Sequence, residues 1–451
     1  MAIQHNIEQG PARTRVGQFA WMLFDFAAQP FHTLILTFIF APYFATKLSA
    51  NAVDGQAMWG YAIGIGGFVI AIMAPILGAM SDATGPRKPY IAFFSIFAIL
   101  GSCLMYFAAP GTESGVFYAV IGVFLAIIGF EFATVFNNAM MANLAEDENI
   151  GLLSGFGWAL GYVGGVLALV VVLALMSASP ETGTTLFGLT PILGLDPMTH
   201  EGDRASGPLT AIWYVIFVIP MFVFTPDVPR IAPVKNAVRN GLLKLRTTLK
   251  TLPQRKSYFA YLLSSMFYRD GLNGLYAFGG IYAGGVLGLS IIQIGVFGII
   301  AAAAGALGAT VGAFADKKMG PKFVVTLCCN ILILTCLLVV STTTKTAFFI
   351  LPLEDGSSTP LLIFYIAGAL IGAAGGALQA ASRTLLIRQV PKTEVAEAFG
   401  LFALTGRATS FIAPLSVGVM TSLSQSQQVG ITPIIVLFAM GAVGLIFVTR
   451  K

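Results

Sequence analysis

The sequence has few charged residues and few residues that could bind a metal. Asp, Glu, Lys and Arg make up 10% of its 451 residues, whereas they make up about 25% of a soluble domain. Its three histidines and four cysteines form no cluster with the spacing of a zinc site. The glycine-rich phosphate-binding motif of ATP-driven pumps is also absent. We therefore expect no metal, no other cofactor and no ATPase activity.

Long apolar runs occupy most of the chain instead. Hydrophobic residues account for 57% of the sequence and the mean hydropathy is +0.84, and about 20 mostly apolar residues are enough to span a bilayer. The runs predict twelve helices near residues 17–46, 57–81, 90–108, 116–142, 151–176, 208–226, 257–286, 291–315, 323–343, 360–387, 398–423 and 429–449. The composition thus predicts an all-α polytopic membrane protein. The four cysteines all fall in these runs, which predicts buried thiols without disulfide bonds.

The Lys and Arg residues between the predicted helices indicate the orientation in the membrane. With both termini on the cytoplasmic side, the inner segments hold twenty of the 25 basic residues, and the outer segments hold three. Cytoplasmic loops are enriched in Lys and Arg, so we expect both termini to be cytoplasmic. The first sixteen residues lack the small-residue cleavage site of a signal peptide, so we expect the first helix to remain as a span. A bacterial cytoplasmic membrane is the expected location.

Two similar loops recur half a chain apart. The second predicted helix ends in GAMSDATGPRKP (78–89) and the eighth in GAFADKKMGPK (312–322), so Asp82 and Asp316 are 234 residues apart. This spacing predicts two pseudo-symmetric six-helix halves, the layout of transporters that are built from parallel repeats.

The halves imply three regions, which are an N-terminal six-helix bundle at 1–226, a linker at 227–256 and a C-terminal bundle at 257–451. The linker holds eight basic residues and one acid, and its apolar residues fall on one helical face. That pattern favours an amphipathic helix on the inner leaflet over a calmodulin-like or nucleic-acid partner. We expect the lipid bilayer, and no nucleic acid, as the partner of this region.

The spans and loops resemble the major facilitator superfamily over the whole chain. The resemblance narrows to its vacuole-effluxer branch through LFDFAAQPF (23–31), FNNAMMANLAEDENIGLLSGFGWALGYVGG (136–165), FYRDG (267–271) and GALQAASRTLLIRQVP followed by FGLFALTGRATSF. That branch takes its name from an autophagy-related yeast protein associated with amino-acid release from the vacuole. The resemblance implies a monomeric secondary transporter of a small-molecule solute, and not an enzyme.

The resemblance also implies a gate at the two repeated loops. There Asp82 would meet a helix N-terminus and a basic partner when the inner side is closed. From this resemblance we expect Asp82, Arg87 and Asp316 to form the gate, with Gly85 in the turn. The first loop departs from the superfamily, because a proline follows Gly85 where an arginine is usual, and the second has one extra residue before its glycine.

A few charged or titratable side chains fall deep in the predicted spans. They are Asp25 and His32 in helix 1, Glu131 in helix 4, Arg269 and Asp270 in helix 7, and Arg407 in helix 11. A charge at the bilayer centre costs roughly 2.5–3.5 kcal/mol on insertion scales, and such residues usually face protein or a wet cavity. The resemblance implies that helices 1, 4, 7 and 10 line a central cavity, and three of these four carry the charges. We therefore expect these side chains to contact the solute.

Helical spacing places polar residues on shared faces with these charges. Residues at i, i+3 or i+4, and i+7 lie on one stripe of a helix, whereas Asp270 points about 100° away from Arg269. Asp270 is therefore expected along the cavity wall, toward Arg407, and these two could instead form a static ion-pair network. The candidate binding and coupling residues are Asp25, Gln29, His32, Glu131, Asn138, Arg269, Asp270, Asn273, Tyr276, Gln379 and Arg407.

Helix 5 carries a different pattern, in which Gly157, Gly161 and Gly165 recur every four residues. Small residues at this spacing let two helices approach closely in a membrane. The pattern predicts close helix packing and not a binding site.

Both signs of charge among the candidate residues predict a zwitterionic, amino-acid-like solute. An arginine, Arg269 or Arg407, would hold the carboxylate, and Asp25 or Asp270 would face the ammonium group. Glu131 is the candidate for proton coupling, because its helix has no basic residue in its core and burial favours the protonated form of an unpaired carboxyl group. An organic anion is the competing solute class.

Two functions other than transport would also fit a helical membrane protein. One is a sensor or scaffold that keeps the transporter fold without moving solute. The second is an intramembrane aspartyl protease, which uses two helical aspartates that share a proton. The Gly-x-Gly-Asp motif of such proteases is absent from this sequence, so the pattern favours a transporter.

Overall fold

The computed structural model describes residues 14–144, 147–227, 250, 252–391 and 395–449. These residues are almost entirely helical. The long helices are α1 (Arg15–Leu48), α2 (Ala52–Thr84), α3 (Lys88–Phe107), α4 (Gly115–Leu144), α5 (Asp147–Leu175), α6 (Glu201–Phe224), α7 (Lys256–Gly285), α8 (Ile291–Met319), α9 (Pro321–Val340), α10 (Thr359–Ile387), α11 (Val395–Ala408 and Ile412–Ser424) and α12 (Gln427–Phe447). The predicted linker helix at 227–256 lies almost wholly outside the described residues.

The predicted all-α membrane fold is confirmed by these helices. Among the described residues, ten helices are long and apolar enough to cross a membrane. The 30-residue α7 falls outside that count and carries the charged pair Arg269 and Asp270. The expectation of buried cysteines is wrong for Cys103, which is exposed on α3, whereas the other three are buried and free.

The single helix predicted at 398–423 is wrong, because α11 consists of two parts. The first part ends at Ala408 and the second begins at Ile412. A proline has no N–H group to donate to the carbonyl four residues earlier. Pro414 has no N–H group to continue the helical hydrogen bonding, and it lies just after the place where the helix is interrupted.

The first helix, α1, is not a regular α-helix throughout. It is π-helical over Phe31–Phe38 and again over Phe44–Leu48. Pro30 precedes the first of these stretches and cannot donate to the carbonyl of Phe26. The indole Nε1 of Trp213 on α6 donates to that carbonyl at 3.1 Å, so the freed acceptor has a partner.

The described helices form two compact units. Unit 1 consists of Met1–Ile35, Val69–Val172 and Arg204–Thr248, and its core joins the first half of α1 to α3, α4, α5 and α6. Within it, α3 and α4 approach closely, since a Cβ atom at Gly101 would lie 2.5 Å from the backbone nitrogen of Ala126.

Unit 2 consists of Leu36–Phe68, Leu173–Asp203 and Leu249–Lys451. It holds the second half of α1 and the first half of α2 together with α7 to α12. A short antiparallel hairpin, β1 (Thr346–Ala347) and β2 (Leu351–Pro352), joins α9 to α10. The units therefore divide α1 and α2 within their lengths. The division of the sequence into two bundles and a linker stays a prediction.

Candidate functional site

In unit 1, polar side chains of α1 pack against the glycines of α5. A Cβ atom at Gly157 would lie 2.6 Å from Oδ2 of Asp25, and one at Gly165 would lie 2.9 Å from Cγ of Gln29. A Cβ atom at Gly161 would lie 3.4 Å from Cβ of Asp25, which is ordinary contact. The prediction that these glycines pack closely against another helix is confirmed. Because these glycines have no side chains, the half-buried side chains of Asp25 and Gln29 have space to pack against α5.

We expect replacement of Gly164 by alanine to destabilise the protein, because its Cβ atom would lie 2.5 Å from the carbonyl oxygen of Phe26. A backbone oxygen cannot rotate away, and overpacking of this kind costs about 1–3 kcal/mol. Thermal unfolding of purified Gly164→Ala in detergent should therefore occur several degrees below that of the wild type. Gly161→Ala is the matched control and should unfold near the wild-type temperature. Equal stability of the two variants would contradict the close approach of α1 and α5.

Helix α4 contacts α1 through Trp21. Its indole Nε1 donates to the backbone carbonyl of Asn137 at 2.7 Å. The Asn137 side chain is fully buried, and neither of its amide atoms has a hydrogen-bond partner among the described residues. Glu131, two turns earlier, is half-buried, whereas Asn138 is exposed. The polar stripe predicted on α4 therefore runs from half-buried to exposed surface.

The predicted stripe on α1 is altered by its π-helical stretch. His32 lies inside that stretch, where each turn holds more residues than an α-helical turn. Its ring is half-buried and lies edge-on to Phe31, with centroids 5.5 Å apart. The angular relation of His32 to Asp25 and Gln29 consequently differs from the one that ideal α-helical spacing predicts.

In unit 2, Arg269 of α7 lies against the first part of α11. Its Nη1 donates to the carbonyl oxygen of Phe402 at 2.7 Å, and its Cζ lies 4.0 Å from the centroid of the Phe402 ring. Gly406 lies under the guanidinium, since a Cβ atom there would be 2.5 Å from Cζ. An aromatic ring, a carbonyl and a glycine thus fix the plane of this guanidinium.

Asp270 lies against the second part of α11. Its Oδ2 accepts a hydrogen bond from the backbone N–H of Ala413 at 2.9 Å, and the residue is 2% exposed. The first N–H groups of a helix have no intrahelical partner, and a carboxylate there is also favoured by the helix dipole. Asp270 therefore caps the resumed helix. Its predicted partner, Arg407, has a side chain outside the described residues.

Two tyrosines of α7 form hydrogen bonds with Ser382 of α10. The hydroxyl of Tyr268 lies 2.8 Å from Oγ of Ser382, and the hydroxyl of Tyr261 donates to the Ser382 carbonyl at 2.6 Å. These bonds fix α7 against α10. Of the remaining candidates on these two helices, Gln379 and Tyr276 are half-buried and Asn273 is exposed.

The loop after α2 has an additional partner that the sequence did not indicate. Asp227 accepts from the backbone N–H groups of Arg87 and Lys88, each at 2.9 Å, and so caps α3. Gly85 has φ +95°, a conformation that favours glycine, and Arg87 is buried. The side chain of Asp82 lies outside the described residues. In the second loop Asp316 is buried.

A buried amide cluster was missed in the sequence. Nε2 of Gln56 on α2 donates to Oγ1 of Thr421 on α11 at 2.8 Å, and Nε2 of Gln427 donates to Oε1 of Gln56 at 3.2 Å. Nearby, a Cβ atom at Gly60 would lie 2.7 Å from the carbonyl oxygen of Pro414. The spacing of Gly60, Gly64 and Gly67 was the available signal for this close packing. The cluster ties α2 to α11 and α12 within unit 2.

The candidate residues thus fall into two groups, one in unit 1 and the other in unit 2. Asp25, Gln29, His32, Glu131 and Asn138 belong to unit 1, and Arg269, Asp270, Asn273, Tyr276 and Gln379 belong to unit 2. Within unit 2, Arg269 and Asp270 contact different parts of the same helix, which agrees with their predicted divergence along α7. No group of three or more His, Cys, Asp or Glu residues that could hold a metal occurs among the described residues.

Comparison with known proteins shows which family the chain belongs to. The family model described as "Vacuole effluxer Atg22 like" matches residues 143–451, and that of the "Major Facilitator Superfamily" matches residues 8–169. The chain is 25% identical over 439 residues to the uncharacterized MFS-type transporter YxiO of Bacillus subtilis (strain 168), covering 96% of this chain and 94% of that protein. It is 22% identical over 317 residues to autophagy-related protein 22 of Yarrowia lipolytica (strain CLIB 122 / E 150), covering 65% of this chain but 49% of that protein.

Solved structures of transporters share the fold. A D-xylose–proton symporter superimposes with a TM-score of 0.67 at 12% identity, covering 96% of each chain. A POT family transporter in complex with 5-aminolevulinic acid superimposes with a TM-score of 0.68 at 13% identity, covering 98% of this chain and 99% of that chain. At these identities the likeness concerns the fold alone.

Proposed function

Since the chain belongs to the vacuole effluxer family, a branch of the major facilitator superfamily, and is an integral, multi-pass MFS-type membrane transporter, we propose that it moves a small zwitterionic, amino-acid-like solute by alternating access. We propose further that it is a monomer in a bacterial cytoplasmic membrane with both termini inside. Transporters of this superfamily are not enzymes, so a protease activity is not favoured.

One observation supports a zwitterionic solute. The membrane helices carry side chains of both charge signs, and contacts with neighbouring helices hold these side chains in place. Asp25 rests on the glycine face of α5, and Arg269 is fixed by the ring and carbonyl of Phe402. Charges within membrane spans are rare and mark functional positions. A planar guanidinium matches a carboxylate, and an aspartate suits an ammonium group. A neutral sugar would leave both charges unmatched.

The roles of the candidate residues follow from these surroundings. We assign the solute carboxylate to Arg269, with Arg407 as a second basic group, and the solute ammonium to Asp25. Asp270 is engaged by the N–H of Ala413, so we assign it to the helix cap instead. The uncharged residues that would provide further polar contacts are Gln29, His32, Asn138, Asn273, Tyr276 and Gln379.

Counterflow in liposomes tests the proposed solute class. Vesicles that contain the purified protein are loaded with one unlabelled compound, and entry of a labelled amino acid or betaine is measured. Exchange should require both an amine and a carboxylate on the solute. Uptake of organic anions without an amine, unaffected by excess amino acids and betaines, would reject the zwitterion and favour the organic anion.

We expect Glu131→Gln to abolish the response of solute flux to an imposed pH gradient, because we propose that Glu131 carries the coupled proton. An amide cannot bind and release a proton near neutral pH, so the variant should still exchange solute in counterflow. Glu113→Gln, in the exposed segment before α4, is the control and should respond as the wild type does. Glu131 has no coupling role if its glutamine variant still responds fully to the pH gradient.

Alternating access requires that contacts on one side of the membrane open during transport. We propose that the outer contacts are those between α2 and α11 in unit 2, where the hydroxyl of Tyr61 lies 3.0 Å from Oγ of Ser422. The opposite gate would lie at the repeated loops, with Asp82, Arg87 and Asp316 as its charged residues and Gly85 in the turn.

Cross-linking of positions 61 and 422 should therefore stop transport. In a Cys103→Ser background, a short bifunctional thiol reagent on Tyr61→Cys/Ser422→Cys should reduce flux to background, and a reducible reagent should allow recovery on reduction. Each single cysteine variant serves as the control for modification alone. Full flux in a fully cross-linked sample would mean that these contacts do not need to open.

A further inference from the structure

The hairpin between α9 and α10 presents an apolar tip. Thr346 pairs with Pro352 and Ala347 pairs with Leu351, so the turn comprises the three residues between the strands. Phe348, Phe349, Ile350 and Leu351 are 50%, 66%, 81% and 52% exposed. Four consecutive exposed apolar residues are unusual on a surface that faces water.

The backbone of this turn has a conformation that glycine, asparagine and aspartate adopt more readily than phenylalanine. Phe348 and Phe349 have φ +54° and +65°, the left-handed region in which Gly, Asn and Asp are favoured. A side chain with a Cβ atom is disfavoured there. Two successive phenylalanines therefore adopt a backbone conformation that is unfavourable for their residue type.

Hydrogen bonds hold the tip next to the end of α9. The backbone N–H of Phe349 donates to the carbonyl of Ser341, the residue that follows α9, at 2.8 Å. At the base of the hairpin, the N–H of Leu353 donates to the carbonyl of Lys345, also at 2.8 Å. The tip therefore folds back toward the last turn of α9 instead of extending away from it.

The two helices that the hairpin joins also expose apolar side chains near it. Helices α9 and α10 are both long and apolar enough to span the membrane. Near the hairpin they expose Leu334 and Leu337 on α9 and Leu362 and Ile366 on α10. The charged residues of the loop lie outside the two strands instead: Lys345 precedes the first strand, Glu354 and Asp355 follow the second, and all three are exposed. Aromatic and apolar side chains next to the ends of spans are typical of the membrane–water boundary.

We propose that the tip, Phe348–Leu351, inserts into the boundary layer of the bilayer that surrounds α9 and α10 and anchors this end of the two helices. The partner is a lipid surface, because the exposed tip residues are uncharged and the hairpin joins two helices that are long and apolar enough to span a membrane. The anchor is independent of which solute the protein carries.

Spin labelling of the protein in phosphatidylcholine liposomes tests this insertion. Nitroxide labels are attached to Phe349→Cys and Ile350→Cys in a Cys103→Ser background, and accessibility is measured to oxygen, which partitions into lipid, and to a water-soluble nickel chelate. Leu362→Cys provides the lipid-facing reference, and Asp355→Cys, in the same loop, provides the water-facing one. Two tip positions are used so that a local effect of one substitution does not decide the result.

We expect the ratio of oxygen to nickel accessibility at positions 349 and 350 to be several-fold above that at 355 and similar to that at 362. Nickel accessibility equal to that at 355 would overturn the proposal, because the tip would then lie in water. Shielding from both reagents would overturn it as well, because a protein surface rather than lipid would then cover the tip.

Discussion

Arg269→Lys is expected to lower zwitterion counterflow by about tenfold or more, a loss that corresponds to about 1.4 kcal/mol. The guanidinium of Arg269 stacks on Phe402 and donates to its carbonyl, which fixes a planar fork. A lysine keeps the charge, but its ammonium group has no plane to stack and cannot bind a carboxylate with two parallel hydrogen bonds. The measurement is initial counterflow rate at several solute concentrations in liposomes that contain equal amounts of folded protein.

The control for this prediction is Arg388→Lys, at the exposed end of α10. It should transport as the wild type does, because a change from arginine to lysine on a solvated surface removes no fixed contact. Unchanged counterflow in Arg269→Lys would show that only the charge of this residue matters, and the proposed carboxylate contact would have to be reassigned.

Asp270→Ala is expected to destabilise the protein by about 1–3 kcal/mol, the cost of leaving a buried hydrogen-bonding group without its partner. The variant loses the acceptor for the N–H of Ala413, at the start of the second part of α11. Asp270→Asn keeps an oxygen at the same place and should retain much of the stability. Thermal unfolding of both variants in detergent measures the difference.

Transport by Asp270→Asn separates a structural role from a binding role. If Asp270 acts only as a helix cap, this variant should carry solute at a substantial fraction of the wild-type rate. Loss of transport at unchanged thermal stability would contradict that role and return Asp270 to the set of groups that face the solute ammonium.

Hydropathy predicted the helices well because burying an apolar stretch in lipid depends on many residues at once. The break in α11 depends instead on a few backbone hydrogen bonds. Pro414 was a visible signal for it, since a proline removes the donor for the carbonyl four residues earlier. The apolar run continues on both sides of the break, so hydropathy alone could not locate it.

The pair at the centre of α7 was predicted in part. Helical geometry indicated only that Arg269 and Asp270 point in different directions, and in the structure they contact different parts of α11. Asp270 was expected to lie toward Arg407 of helix 11, and its contact with that helix is the N–H of Ala413. Helical geometry could not indicate that Arg269 also lies on that helix, because this contact depends on Gly406 leaving room for the guanidinium. Nor could it supply the N–H of Ala413, because that donor exists only where the helix restarts. The assignment of solute contacts stays a prediction.

The glycine pattern of α5 predicted close packing, but the identity of the packed residues required the structure. A small-residue stripe indicates where a neighbouring helix approaches, and it does not say which helix that is. In this protein the neighbour is α1, and the side chain that occupies the space beside Gly157 is an aspartate. The same limit explains why the contact of Gln56 with Thr421 was missed, since these two residues lie 365 positions apart in the chain.

The π-helical stretch Phe31–Phe38 changes the angular register of α1 within its length. The boundary between the two compact units crosses α1 between Ile35 and Leu36, within that stretch. A π-helical turn accommodates an additional residue, and conversion of one such turn to α-helix would rotate everything beyond it by about 100°. Residues before and after this stretch therefore cannot be assigned to one face of α1 by counting 3.6 residues per turn, so a stripe that begins at Asp25 ends where the π-helical geometry begins.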